Sequence, residues 1–250
     1  MYNILSYTAW SMNKFKAYGL IHLVLFLGGL LISFCYAYYL RYSSEKKTNK
    51  ILFGCGIFLL LSEIYKQLFY TYYLHAGTYP YWIFPFQLCS IPMYLCLIIP
   101  FVKKEKLKQG IYNFMASFNL MGGFIAFLEP SGLIHEYITL TAHAFIWHML
   151  LIFIGLLIIF TGHAEKQLKD FNQAALLYLS FCFIAFMINL LLFNVSDGSI
   201  NMFFIGPAKS SLIVFKQICN YSVLLSSIIY IVGNCLAAGL FYFIGYKIKK

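Results

Sequence analysis

Seven long apolar segments, at residues 18–40, 51–74, 82–102, 111–127, 137–160, 174–193 and 223–246, leave this chain few ways to fold. A helix rises about 1.5 Å per residue, so roughly 20 residues cross the ~30 Å hydrocarbon layer of a bilayer. The segment at 111–127 is short by that measure and calls for a thinned bilayer or help from its neighbours. With 62% hydrophobic and 10% charged residues, the chain lies far from soluble proteins, in which about a quarter of residues are charged. The pattern predicts an all-α, polytopic membrane bundle of seven transmembrane helices forming a single integral membrane domain. Residues 1–17 read as an interfacial N-terminal segment, 18–246 as the bundle and 247–250 as a cytoplasmic tail.

The cations fix a direction. Arg41, Lys46, Lys47 and Lys50 follow the first segment, and Lys103, Lys104, Lys106 and Lys108 follow the third. Lys166 and Lys169 follow the fifth, and Lys247, Lys249 and Lys250 end the chain, so thirteen of eighteen cations share one side. Lys14, Lys16, Lys209 and Lys216 fall on the other side, and Lys66 lies inside a segment. Cytoplasmic loops are enriched in Lys and Arg, which puts the N-terminus outside and the C-terminus inside the cell membrane. The +10 net charge points to anionic headgroups at helix ends, at about 1 kcal/mol each, and not to nucleic acid. A cleaved signal peptide is not expected, because the first apolar segment is too long and residues 1–17 lack a short apolar core with a small-residue cleavage site.

Six of the seven cysteines, Cys35, Cys55, Cys89, Cys96, Cys182 and Cys235, fall within apolar segments, where a thiol is mostly a small filler. Cys219 is placed near the outer surface. No CxxC or Cys/His spacing suggests a metal site, and no nucleotide loop suggests a soluble cofactor. The longest connection, 194–222, encloses the apolar run 202–205, too short to cross, which should re-enter the bundle or lie along the interface. Residues 1–12, with Tyr2, Leu5 and Trp10, read as an interfacial helix. Tyr70, Tyr72, Tyr73, Tyr79, Tyr81 and Trp82 form the expected aromatic belt at the outer headgroups. The absence of an internal repeat argues against a transporter built from inverted halves.

Polar residues inside the membrane carry the functional signal. Glu63 and Lys66, spaced to pair along one helix face, are costly in hydrocarbon and must face protein or water. They serve either as a structural ion pair or as the lining of a cavity. Counted from the outer end of each segment, His148 and Glu63 lie ~16 Å deep, Lys66 ~12 Å, Cys89 ~10 Å, His143 ~9 Å and Gln87 ~7 Å. Groups from three segments thus share the outer half of the bilayer, which favours a cavity open to the outer leaflet. His143 and His148, about 140° apart around a helix, point different ways and make a poor metal pair. His143 shares a face with Trp147, where packing or a hydrogen bond is the default. His148 is either a catalytic base or a buried neutral ring. Cys89 follows Pro85 and precedes Pro92, which is expected to bend the third helix and free a carbonyl. A thiol beside an imidazole can be a nucleophile, since His can take its proton.

The run Phe84-Pro85-Phe86-Gln87-Leu88-Cys89-Ser90, preceded by Glu63-Ile64-Tyr65-Lys66, resembles the bacterial YwaF family, related to the eukaryotic transmembrane protein 164. Trp147-His148-Met149-Leu150 and Asn201-Met202-Phe203-Phe204-Ile205-Gly206-Pro207 extend the resemblance over most of the chain. It implies a multi-spanning helical protein whose eukaryotic relative transfers fatty acyl chains onto lysophospholipids. A related group of small membrane enzymes hydrolyses fatty-acid esters with an embedded nucleophile and a His. By position, His148 falls on the catalytic His, Glu63 and Lys66 match an acidic and basic pair, and Gln87 replaces a His. Phe86 stands where the eukaryotic acyltransferase has its Cys, Cys89 lies one turn on, and Ser90 matches a hydroxyl residue. The expected function is therefore lipid acyl transfer or lipid-ester cleavage by a Cys89/His148 pair in an outer-leaflet cavity. Glu63 would orient His148 or Lys66, while Gln87 and backbone N–H groups would polarise the carbonyl, with His143 and Asn201 among the binding residues. The partners are membrane lipids, a lysophospholipid or fatty-acyl ester among them. The alternative is a non-enzymatic transporter or lipid-binding protein whose polar cluster lines a binding cavity, and a third reading has the polar residues only holding helices together.

Overall fold

Runs of Leu, Ile, Phe and Ala free of interior proline form helices close to the lengths that the apolar pattern predicts. The computed structural model describes residues 2–164, 167, 170–208, 218 and 220–248. Its helices are α1 (Tyr2–Ser6), α2 (Leu20–Tyr39), α3 (Glu45–Leu68, prolonged by a π-turn at Phe69–Leu74) and α4 (Ile91–Ile98, closing in a 3-10 turn at Ile99–Phe101). They continue with α5 (Glu105–Phe114), α6 (Leu120–Leu128), α7 (Ile138–Thr161), α8 (Phe171–Leu192) and α9 (Val223–Ile248). A π-turn at Met115–Asn119 joins α5 and α6 into one rod. Among the described residues, six helices are long and apolar enough to cross a membrane. Lys166, Lys169, Lys209, Lys216, Cys219, Lys249 and Lys250 lie outside the described residues.

Two segments differ from their expected form. The segment at 111–127 is part of a helix of 24 residues, Glu105–Leu128, and needs no thinned bilayer. Its first turn is polar, and Lys108 is held by Glu105 at 2.8 Å and by Glu45 of α3 at 2.9 Å, which extends the rod beyond its apolar stretch. The segment at 82–102 is not one continuous helix. It begins with a 3-10 turn at Tyr81–Ile83, runs irregularly through residues 84–90, and becomes helical only from Ile91. Pro92 sits in the first turn of α4, where its missing N–H breaks no hydrogen bond, so it starts a helix and does not bend one. The chain still returns along the whole of α3. Gln67 Nε2 donates to Ile83 O (2.8 Å) near one end, and Phe53 meets Phe101 ring to ring (6.0 Å) near the other.

The centre of the bundle is α7, whose residues 151–159 are all buried. Small residues let the helix backbones approach. A Cβ on Gly155 would lie 2.7 Å from Leu120 Cβ and 3.0 Å from Met115 O, and one on Gly123 would lie 3.1 Å from His148 O. Asn119, buried beside this contact, donates to Leu151 O at 2.9 Å. By contrast, α2, α8 and α9 expose Leu31, Ile32, Leu176, Phe183, Leu224 and Leu236 on the outside of the bundle, as lipid-facing helices do.

The opening segment is a strap more than a helix. Only Tyr2–Ser6 is helical, and Leu5 is buried in a small cluster with Phe69, Tyr70, Ile83 and Leu140. Beyond it the chain pairs with the start of α7: Met12 N donates to Glu136 O (2.8 Å) and Ile138 N to Trp10 O (2.9 Å), around a bridge between Ser11 and Tyr137. The run 202–205, expected to re-enter the bundle or lie along the interface, packs into the bundle. Met202 and Phe203 are fully buried, in a 3-10 turn at Met202–Phe204.

A Gly155→Val substitution should lower stability by about 1–3 kcal/mol, the usual cost of overpacking a dense contact. Thermal unfolding in detergent would show it as a lowered Tm, while Gly54→Ala, where a Cβ meets nothing within 4 Å, should leave Tm nearly unchanged.

Candidate functional site

Opposite the basic end, where α3 and α6 finish and α7 begins, the bundle encloses a cavity of about 890 Å³. All seven residues singled out in the sequence, Glu63, Lys66, Gln87, Cys89, His143, His148 and Asn201, line it. They come from the last turns of α3, the irregular run before α4, the first turns of α7 and the segment before α9.

The walls hold because helix side chains complete the irregular backbone. Within the 82–90 run, Ile83 O accepts from Gln67 Nε2, Pro85 O from the Tyr94 hydroxyl (2.7 Å), and Cys89 O from the Trp147 indole (3.0 Å). On the opposite wall, Asn189 of α8 accepts from Met202 N at 2.6 Å and donates to Met202 O at 2.9 Å. Gln87 makes the matching clamp: its Oε1 accepts from Phe203 N (2.8 Å) and its Nε2 donates to Asn201 O (2.9 Å). Phe203 and Phe204 are held with φ of 54° and 53°, a left-handed conformation that costs a side-chain-bearing residue about 1–2 kcal/mol. Gly206 is needed beside the clamp, since a Cβ there would come within 2.8 Å of the Asn189 amide.

Glu63 is buried, with its side chain 4% exposed, and its Oε1 takes Lys66 Nζ at 2.8 Å and Gln67 Nε2 at 2.6 Å. The carboxylate therefore orients Lys66, as expected, and not His148. The His148 ring is turned by its own helix. Its Nδ1 lies 2.8 Å from Ala144 O, which can only accept, so Nδ1 carries the proton and Nε2 is left as the unprotonated nitrogen. No hydrogen bond joins His148 to the Cys89 thiol among the described residues; the His148 ring meets Phe127 of α6 edge-on instead (6.4 Å). The His143 ring lies tilted against Trp147 at 5.4 Å, so the shared face read from the spacing is a ring contact.

Gln87, expected to polarise a substrate carbonyl, also clamps the wall, its amide oxygen taken by Phe203 N and one of its two N–H groups by Asn201 O. Phe86, at the position of the acyltransferase Cys, is not among the lining residues. It packs among Phe181, Phe203 and Tyr94, and the thiol that does reach the cavity is Cys89.

Other residues at the site were not singled out in the sequence. Gln67 and Asn189 anchor the two walls, and the connection after α6 brings Glu129, Ser131 and His135 to the rim. The signal for Asn189 was present, as an amide deep in an apolar run that must find a partner. The rim residues gave none, since Glu and His are ordinary in loops. His135 is tied to the neighbouring wall by Tyr70, whose hydroxyl lies 3.4 Å from Nδ1. Burial, with Lys14 and Lys66 nearby, holds its imidazole below the ordinary value of 6.5. Among the described residues no three His, Cys, Asp or Glu side chains cluster closely enough to hold a metal ion.

A model of the TMEM164 family matches residues 13–243, and the chain belongs to that family. No curated protein and no solved structure matches it. Family membership and the apolar helices together identify a multi-pass membrane protein.

Lys66→Met should cost about 3–5 kcal/mol by leaving a buried carboxylate without its cation, and Glu63→Gln in the same chain should recover much of it. Unfolding of single and double variants in one detergent checks this. His135 makes a pH prediction. Its folded-state value is depressed, so the unfolded state binds the proton first, and stability is lost as pH falls through 6.5 towards the folded value. The slope of Tm between pH 7 and 5 should therefore be shallower in His135→Gln.

Proposed function

We propose that this membrane protein is a lipid acyl-transfer or lipid-ester-cleaving enzyme that works from its polar cavity, with Cys89 as nucleophile and His148 as general base. The observation that carries the reading is the convergence of a thiol, three imidazoles and a buried carboxylate–ammonium pair on one cavity inside a bundle with apolar lipid-facing helices. The charge asymmetry of the loops puts that cavity on the outer leaflet of the cell membrane, with the N-terminus outside. The broken helix, which runs back along α3, supports a seventh crossing beside the six long helices.

The chemistry uses what each side chain has free. His148 Nε2 takes the Cys89 proton as sulfur attacks the ester carbonyl, so the S–C bond forms and the π pair moves onto oxygen. Collapse of the adduct expels the alkoxide of the donor lipid, which recovers the proton from His148. The hydroxyl of a lysophospholipid, or water, then attacks the thioester with His148 again as base, returning the thiol. Lys66, held by Glu63, supplies the positive charge that a lipid phosphate would meet. Because the thiol and the ring are not hydrogen-bonded at rest, substrate binding must bring them together. Such tightening is common between resting and substrate-bound sites.

That separation also favours a second reading, in which the cavity only binds or carries an anionic lipid and Lys66 is its anchor. The two readings part on substitution. Purified protein with a lysophospholipid and a phospholipid donor should form new diacyl lipid, and His148→Ala and Cys89→Ser should each lower the rate at least 100-fold. Unchanged acyl profiles in both variants, with loss of lipid binding in Lys66→Gln, would establish the binding protein and remove the enzyme.

A further inference from the structure

Of the three histidines that line the cavity, His143 has no role in the scheme above, yet its surroundings are those of a working group. Its Nε2 is buried and meets no hydrogen-bonding partner. The residue nevertheless lines the cavity, so the ring edge left facing the space is the one bearing Nδ1. A neutral imidazole carries a single proton. On Nε2 it would be a buried orphan N–H, the rarer and costlier arrangement. On Nδ1 it becomes a donor aimed into the cavity.

His143 also lies on the face of α7 that meets the Cys89 backbone. Its ring lies tilted against Trp147 at 5.4 Å, and the same indole donates to Cys89 O at 3.0 Å. One rigid element therefore spaces the His143 ring from the Cys89 backbone. His148, about 140° further round the helix, sits against Phe127. The tautomers complement each other: His148 has its proton locked on Ala144 O and an open basic nitrogen, while His143 has a sealed nitrogen and an open N–H. Acyl transfer requires this second kind of group, a donor fixed where negative charge develops on the carbonyl oxygen. Gln87 is held in place by residues 201 and 203, which take its amide oxygen and one of its two N–H groups.

We infer that His143 is a catalytic residue of the cavity, donating through Nδ1–H to the carbonyl oxygen of the acyl substrate as it becomes an oxyanion. This rests on the acyl-transfer reading and adds the group that stabilises its transition state. Asn is the informative replacement, since its side-chain N–H can stand near the position of Nδ1, whereas Phe keeps the ring contact with Trp147 and removes the donor.

The experiment measures initial rates of p-nitrophenyl octanoate cleavage by purified protein in detergent, together with alkylation of Cys89 by a maleimide. His143→Phe should lower kcat about 100-fold, the effect of removing one oxyanion donor, with KM changed less than about threefold. His143→Asn should recover at least a tenth of the wild-type kcat. Cys89 should be alkylated at the wild-type rate in both, which excludes misfolding and a role as the base of the thiol. Equal kcat in the wild type and His143→Phe would overturn the inference and leave the enzyme standing. A loss equal in the Phe and Asn variants, or a matching loss of Cys89 alkylation, would make His143 a packing group and overturn it as well. Wild-type protein that neither cleaves the ester nor acquires an acyl group on Cys89 would remove the acyl-transfer reading, and this inference with it.

Discussion

Backbone amides that leave helical geometry at membrane depth must find partners inside the protein, because hydrocarbon offers none. Two stretches of this chain do so, the run before α4 and the segment 201–206, and both are walls of the same cavity. Their polar groups are completed by side chains reaching in from α3, α4, α7 and α8: Gln67, Tyr94, Trp147 and Asn189, with Gln87 joining one wall to the other. Each bond contributes only about 1 kcal/mol net, but each orphaned group would cost more than that. The cavity exists because those bonds are made, and its contents follow from the same rule. Once a space among apolar helices is walled by irregular chain, charged and titratable side chains can occupy it without facing lipid.

This dependence explains what could be read from sequence. Segments 18–40, 137–160, 174–193 and 223–246 match α2, α7, α8 and α9 to within three residues at either end, since length and hydropathy determine them. The segment at 82–102 has the same composition and a different structure. Its prolines made a break legible. Its position was not, because that is decided by partners on α3, α7 and the segment 201–203. The start of α5 was missed for the opposite reason: Lys108 is polar by composition but neutralised by Glu105 and Glu45, one of them on another helix.

The site itself was legible as a list and not as an arrangement. Insertion cost picks out Glu63, Lys66, His143 and His148, the flanking prolines add Cys89, and depth counting puts them in one half of the bilayer. Which nitrogen is free, which amide is engaged and which ring faces which neighbour depend on helix rotation, which spacing does not give. Gln87 and His143 both line the cavity, and on that ground the amide is seen also to hold the wall and the ring to lie against Trp147.

The strap ahead of α2 closes the first turn of α7 from outside, since the amide of Ile138 is completed by the carbonyl of Trp10. Its hydrogen bonds run to residues 136–138, the continuation of the loop that carries Glu129 and His135 to the rim. The two ends of the polypeptide are therefore unequal as handles. A purification tag or fluorescent fusion placed before Tyr2 pulls directly on the mouth of the cavity, whereas one attached after α9 hangs from the opposite end of the bundle and leaves that mouth untouched.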